Sequence, residues 1–327
     1  MSRPDLYPWQ QGVWQSLAAI RSRLPHSLLI TGLPGTGKAV FGAELANSLL
    51  CLAPTEDGHA CLECKSCRLL AAGSHPDLTV VQPEEDATAI VVDQIRAVIR
   101  FLSLRPHTSP RKVVFLGPAE KMNINAANSL LKALEEPPAD SVLILYSDAP
   151  GVLPATIRSR CSQVRIDVPS VTQGEQWLVG HGLPPALAHD LLAAANGAPL
   201  LALAMVEQGF VQTREMIIQD LLRLRAPGGD PVACAARWKS AGTRSCLQWL
   251  SSLIADMVKL AMTTGGARLN NPSLEQVISE LASKSGARSL LALLDSTVDA
   301  IRMADTPLDD TLLIEDILIR WSKTAIN

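Results

Sequence analysis

Residues 32–39 read Gly32-Leu33-Pro34-Gly35-Thr36-Gly37-Lys38-Ala39, a phosphate-binding loop complete but for its last position. In such a loop the glycines let backbone N–H groups wrap phosphate oxygens, and the lysine neutralises the β and γ charges. A terminal Ser or Thr then ligates Mg²⁺. Ala39 stands at that last position and offers no ligand atom. The flanks fit the loop: Ser27 to Thr31 is a short apolar run that reads as a buried strand, and Lys38 to Leu50 reads as the following helix. Gly32, Pro34, Gly35, Thr36, Gly37 and Lys38 are therefore the candidate phosphate-holding residues. The alternative is an ordinary glycine-rich turn between strand and helix.

Further strands are predicted at Leu78 to Val81, Lys112 to Leu116, Val142 to Tyr146 and Gln163 to Ile166, with helices at Val92 to Ser103 and Asn123 to Leu134 between them. Strands alternating with helices around a phosphate loop imply a parallel α/β sheet covered on both faces. The strands stop at Val168-Pro169-Ser170. A small helical segment follows, with a helix at Pro184 to Ala195 and a break at Asn196-Gly197-Ala198-Pro199. Beyond about Gly209 the chain reads as all helix. Leu247, Leu250, Ile254, Met257, Val258 and Ala261 form one apolar stripe on a helix from Thr243 to Thr264, which Gly265-Gly266-Ala267 ends. Amphipathic helices are predicted at 273–285, 288–304 and 310–323. The division is thus 1–168 (α/β, with an insert at 51–67), 169–209 (small helical) and 210–327 (all-α).

With 47% apolar residues the chain has ample material for buried cores, and 4% aromatic content favours helix-rich architecture over a β-sandwich. A net charge of −3 argues against an overall basic footprint for nucleic acid. No run approaches the roughly 20 apolar residues of a membrane span, and the start of the chain lacks a signal peptide's apolar core. A cytoplasmic protein is expected.

In that compartment, clustered cysteines are more naturally metal ligands than disulfides. Cys61-Leu62-Glu63-Cys64-Lys65-Ser66-Cys67 overlaps two CxxC units, and Cys51 lies upstream at the end of the phosphate-loop helix. Four soft ligands with no open position suit a structural tetrahedral Zn²⁺. Reduced cysteines in a loop are the alternative, and His59 is a substitute ligand that four cysteines make unnecessary.

A working NTPase also needs an acidic residue at the end of a neighbouring buried strand, to hold Mg²⁺ and position water. Here that strand runs into Gly117-Pro118-Ala119-Glu120, which places glycine at the expected position and the carboxylate three residues late. Ala39 and Gly117 together remove both protein ligands for the metal. Mg²⁺-dependent hydrolysis is not expected, while Lys38 and the glycine backbone leave ATP or ADP binding without turnover open.

The series Leu130-Leu131-Lys132-Ala133-Leu134-Glu135-Glu136-Pro137-Pro138, then Ile157-Arg158-Ser159-Arg160-Cys161, with the loop and four-cysteine insert upstream, resembles bacterial clamp-loader subunits of the AAA+ class. The lost metal carboxylate, the short C-terminal half and the start Tyr7-Pro8-Trp9 with His26 to Ile30 resemble the non-motor, stator type. The resemblance implies that Arg160 reaches a neighbouring motor subunit's ATP site as an arginine finger, which can accelerate hydrolysis by about 10³–10⁵. An ion-paired arginine within the domain is the alternative, and it is the preferred reading for Arg158 and Arg165. Active members carry a nucleotide-sensing arginine in the small second domain, where this chain has Leu200. The C-terminal helices resemble the collar that holds loader subunits in a ring. Implied partners are the gamma/tau motor and delta subunits and, through the complex, the sliding clamp and primer-template DNA of a polymerase (nucleotidyltransferase) holoenzyme. Two rival readings stand beside the stator: an active motor that recruits Glu120 or another carboxylate, and a zinc-containing nucleic-acid-binding module.

Overall fold

Apolar runs without alternation become central strands here because both their faces are covered. In the computed structural model, which describes residues 6–85, 87–207, 209–263, 269–304 and 308–324, strands β1 (Ser27–Thr31), β2 (Leu78–Val81), β3 (Lys112–Leu116), β4 (Ser141–Ser147) and β5 (Ser162–Arg165) form one sheet. Its order is β2-β3-β4-β1-β5 and every pairing is parallel. Successive residues serve opposite faces. Leu28 and Ile30 pack with Phe41, Leu45 and Leu49 of α2 (Lys38–Leu50) and with Trp14 of α1 (Gln11–Ala19). Leu29, Val114 and Leu143 pack instead with Ile95 and Val98 of α4 (Val92–Leu102) and Leu130 of α5 (Ile124–Glu135). Each such buried side chain contributes roughly 1.5–3 kcal/mol, so the two-sided core defines the sheet.

Two short helices complete this part: α3 (Lys65–Ala71), inside the cysteine segment, and α6 (Ala155–Arg158), just before β5. Neither was expected from periodicity, since both are too short to show an apolar stripe.

The chain divides into compact units Met1–Pro169 and Ser170–Asn327. In the second unit, α7 (Val171–Gly180), α8 (Pro185–Ala194) and α9 (Pro199–Glu207) share a small core around Leu178, Leu191 and Leu192. The tail helices α10 (Phe210–Arg223), α11 (Pro231–Met262), α12 (Glu275–Ser283), α13 (Ala287–Met303) and α14 (Asp310–Ser322) build a larger core in which Trp238 and Trp321 are wholly buried. Of the predicted apolar stripe, Leu247, Leu250, Ile254, Met257 and Val258 lie in that core, whereas Ala261, in the last turn, is exposed. Helix α11 is broken at Gly242, whose non-helical φ of 106° is open to glycine, so a helical segment begins at Thr243 as expected and a further segment, unforeseen, precedes it. Its predicted end at Thr264 and the breaker Gly265-Gly266-Ala267 lie outside the described residues.

The small core and the tail are tied through a buried polar contact. Asp190 of α8 accepts from Arg214 Nη1 of α10 at 3.0 Å and from the Ser273 hydroxyl. Among the described residues no single helix is long and apolar enough to cross a membrane.

Candidate functional site

The phosphate loop follows β1 at the C-terminal edge of the parallel sheet, the edge where ligands bind in open α/β folds. Gly37 caps α2 with a left-handed φ of 82°, and a Cβ there would come within 2.5 Å of the Tyr7 ring. The loop is filled from within the chain. Lys38 is 3% exposed. Its ammonium donates to the carbonyls of Gly32 (2.8 Å) and Leu33 (2.5 Å) and pairs with Asp148 Oδ1 at 2.7 Å. An ammonium has three N–H donors, and here they meet three strong acceptors. On the other side, Trp9 Nε1 donates to Thr36 O at 2.9 Å, and Gln10 Nε2 donates to Thr36 O and Gly37 O at 2.9 and 3.0 Å.

Asp148 was missed in the sequence. It follows β4 directly, and the residue after a parallel strand faces the ligand edge, which is the signal that could have found it. Its N–H donates to Glu120 Oε1 at 3.0 Å. Glu120 thus orients the Asp148 backbone. The space of the expected metal carboxylate is also taken: a Cβ on Gly117 would lie 2.4 Å from the Tyr146 ring, which stacks on Phe115. Ala39 is exposed in the first turn of α2. Reinstalling the carboxylate by Gly117→Asp should therefore destabilise the domain by about 1–3 kcal/mol through overpacking. Thermal melting with and without Mg²⁺ checks this; a stabilised, Mg²⁺-responsive variant contradicts it.

The four cysteines converge. Cys51 closes α2, Cys64 is the N-cap of α3 and Cys67 lies in its first turn. The sulfurs of Cys51, Cys61, Cys64 and Cys67 all lie within 4.8 Å of one another, with Cys51–Cys64 and Cys61–Cys67 at 3.9 Å and Cys51–Cys67 at 3.6 Å. Such a cluster can hold a metal ion. Backbone N–H groups of Cys61, Cys64 and Cys67 donate to the sulfurs of Cys51, Cys61 and Cys64, as thiolates require. Burial pushes the Cys64 thiol up, but the N–H groups of Cys67 and Leu52 together with the Cys67 and Cys61 side chains hold its pKa down to about 6. His59 stays outside the cluster, paired with Glu44 at 2.9 Å and stacked on Trp14.

A buried network ties the cluster to the sheet. Ser66, between two ligands, donates to Leu50 O at 2.7 Å, as does Ser109. His75 Nδ1 accepts from the Asp77 N–H at 3.0 Å, so its Nε2 carries the proton and donates to Ser66 Oγ at 2.8 Å. Burial lowers the His75 pKa and keeps it neutral.

Arg160 sits just past α6, half-exposed. Its Nη2 pairs with Glu135 Oε1 at 2.6 Å, and its Nη1 donates to Thr156 O at 3.0 Å. The ion-paired arrangement held open in the sequence is thus what the chain shows by itself. Arg165 pairs with Asp167 at 2.6 Å on the surface. Leu200 lies in α9.

Comparison with known proteins places this architecture. A family described as "DNA polymerase III, delta subunit" matches residues 9–170, and one described as "DNA polymerase III, delta subunit, C terminal" matches residues 208–323. DNA polymerase III subunit delta' of Pseudomonas aeruginosa is 37% identical over 97% of this chain and 98% of its own length. The delta' subunit of Escherichia coli is 34% identical over 96% of this chain and 94% of its own. Subunit tau of Bacillus subtilis is 29% identical, over 63% of this chain and 37% of its own length. A parallel sheet with a phosphate loop after β1 and a helical C-terminal region, matched by both families, marks a DNA polymerase III subunit. Within that class the chain belongs to the delta' family of DNA polymerase III.

Proposed function

We propose that the chain is the stator of a clamp loader: it hydrolyses no ATP itself and supplies Arg160 in trans to a neighbouring motor subunit of gamma/tau type. The observation that carries this reading is the saturation of Lys38. An incoming triphosphate would have to displace the Asp148 carboxylate, and no metal would help it, because Ala39 has no ligand atom and Tyr146 occupies the space beside Gly117. Arg160, by contrast, is only half-buried and is held by an exposed ion pair of about 0–1 kcal/mol, so release is inexpensive.

The remaining assignments follow from that role. An arginine acting in trans needs a fixed neighbour, and the helices beyond about residue 209, where the C-terminal family match begins, supply a collar for assembly with the motor and delta subunits. The sliding clamp and primed DNA are engaged through the complex, in the cytoplasm. The four-cysteine cluster holds a structural Zn²⁺: thiolates about 2.3 Å from the ion give tetrahedral sulfur separations of about 3.8 Å, close to those observed.

The test is ATP turnover by the isolated chain, by the motor subunit alone and by the two assembled together. Turnover that appears or rises only on assembly supports the stator. Turnover by the isolated chain, lost on Lys38→Ala, would establish the active-motor reading instead.

A further inference from the structure

Every donor of a finger arginine has to point somewhere before the phosphate arrives, and in this chain the resting position is defined. Arg160 is folded back over its own domain, with one terminal nitrogen on the Glu135 carboxylate and the other on the Thr156 carbonyl four residues earlier. Glu135 is the last residue of α5, where the helix already presents the negative end of its dipole. A carboxylate there is locally unfavourable for the helix, and the paired guanidinium offsets its charge. Glu135 is itself about half exposed, at 49% of its side chain, so it serves no buried structural purpose.

We propose that Glu135 is a positioning residue for the trans reaction: it parks Arg160 by occupying the donor face that the γ-phosphate would otherwise engage. This rests on the finger reading above. The physical logic is competition between two anions. A single exposed carboxylate carries one charge in high dielectric and holds the guanidinium weakly. A triphosphate in a closed intersubunit site carries more charge in a drier setting and wins the fork geometry. Once the γ-phosphate has left, Glu135 recaptures the arginine. The pair therefore makes engagement depend on whether the neighbouring site holds ATP, and it suppresses engagement when the ring is poorly closed.

The expected magnitude is modest. Abolishing an exposed pair of at most about 1 kcal/mol raises the population of free Arg160 by about two- to fivefold. Glu135→Gln keeps the shape, and removing a negative charge from a helix C-terminus does not unfold α5.

The experiment assembles the full complex with wild-type chain, Glu135→Gln, Arg160→Ala and the double variant. It measures basal ATP turnover at the motor site next to this chain, with any other ATP sites of the assembly disabled, without clamp or DNA and across a range of salt concentrations. Glu135→Gln should raise basal turnover about two- to fivefold at low salt, with the difference shrinking as salt screens the pair. In the Arg160→Ala background the same substitution should change nothing. An equal effect in that background would mean that Glu135 acts through helix α5 and would overturn the latch. No effect of Glu135→Gln, beside a clear loss on Arg160→Ala, would overturn the latch alone. Unchanged turnover on Arg160→Ala would remove the finger, and the latch with it.

Discussion

Turnover at the motor site next to this chain should fall by about 10³–10⁵ when Arg160 is replaced by alanine, the range a finger supplies to phosphoryl transfer. The guanidinium is permanently charged and can donate to γ-phosphate oxygens from a fixed fork as charge redistributes, which no water molecule reproduces. The substitution should leave the chain folded, because in isolation Arg160 makes only an exposed ion pair and one bond to a carbonyl. Lysine at the position should restore little, since it keeps the charge and loses the fork. The measurement is a single-turnover assay at that site, with any other ATP sites of the assembly disabled. Unchanged hydrolysis at the remaining site would refute the assignment.

Cys64→Ser should lower bound zinc from one per chain to near none and destabilise the first unit by more than about 4 kcal/mol, a size characteristic of losing a structural metal. The choice of residue separates metal from helix. Cys64 is also the N-cap of α3, accepting from the Cys67 N–H, and serine is among the best N-caps. Whatever stability is lost therefore reports the ion. Cys161 is the control. It is buried away from the cluster, burial pushes its thiol up to about 11, and its replacement by serine should leave zinc content unchanged. Metal analysis with thermal melting of both variants decides, and full zinc content in Cys64→Ser would refute the site.

The legible parts share a physical cause. Local pattern specifies whatever local geometry decides: the apolar runs of β1, β3 and β4, the phosphate loop between β1 and α2, and the CxxC spacing that brings four sulfurs together. The illegible parts depend on contacts distant in the chain. Nothing near Lys38 announces that Asp148 will meet it, because the two are joined only by the β1–β4 pairing. Trp9 and Gln10 reach the loop from before β1, and Tyr146 fills the space beside Gly117 from the adjacent strand. The pairing of Arg160 with Glu135 likewise joins the ends of two separate helices.

The amino-acid sequence by itself determined the parallel α/β class, the helical C-terminal half, the four-cysteine cluster and the absence of metal ligands at positions 39 and 117. A missing side chain is visible without any fold. Only the tertiary structure decided that the lysine's three donors are already used and that Arg160 rests on a carboxylate. Those facts belong to charge placed against charge across the folded sheet, and no spacing along the chain encodes them directly.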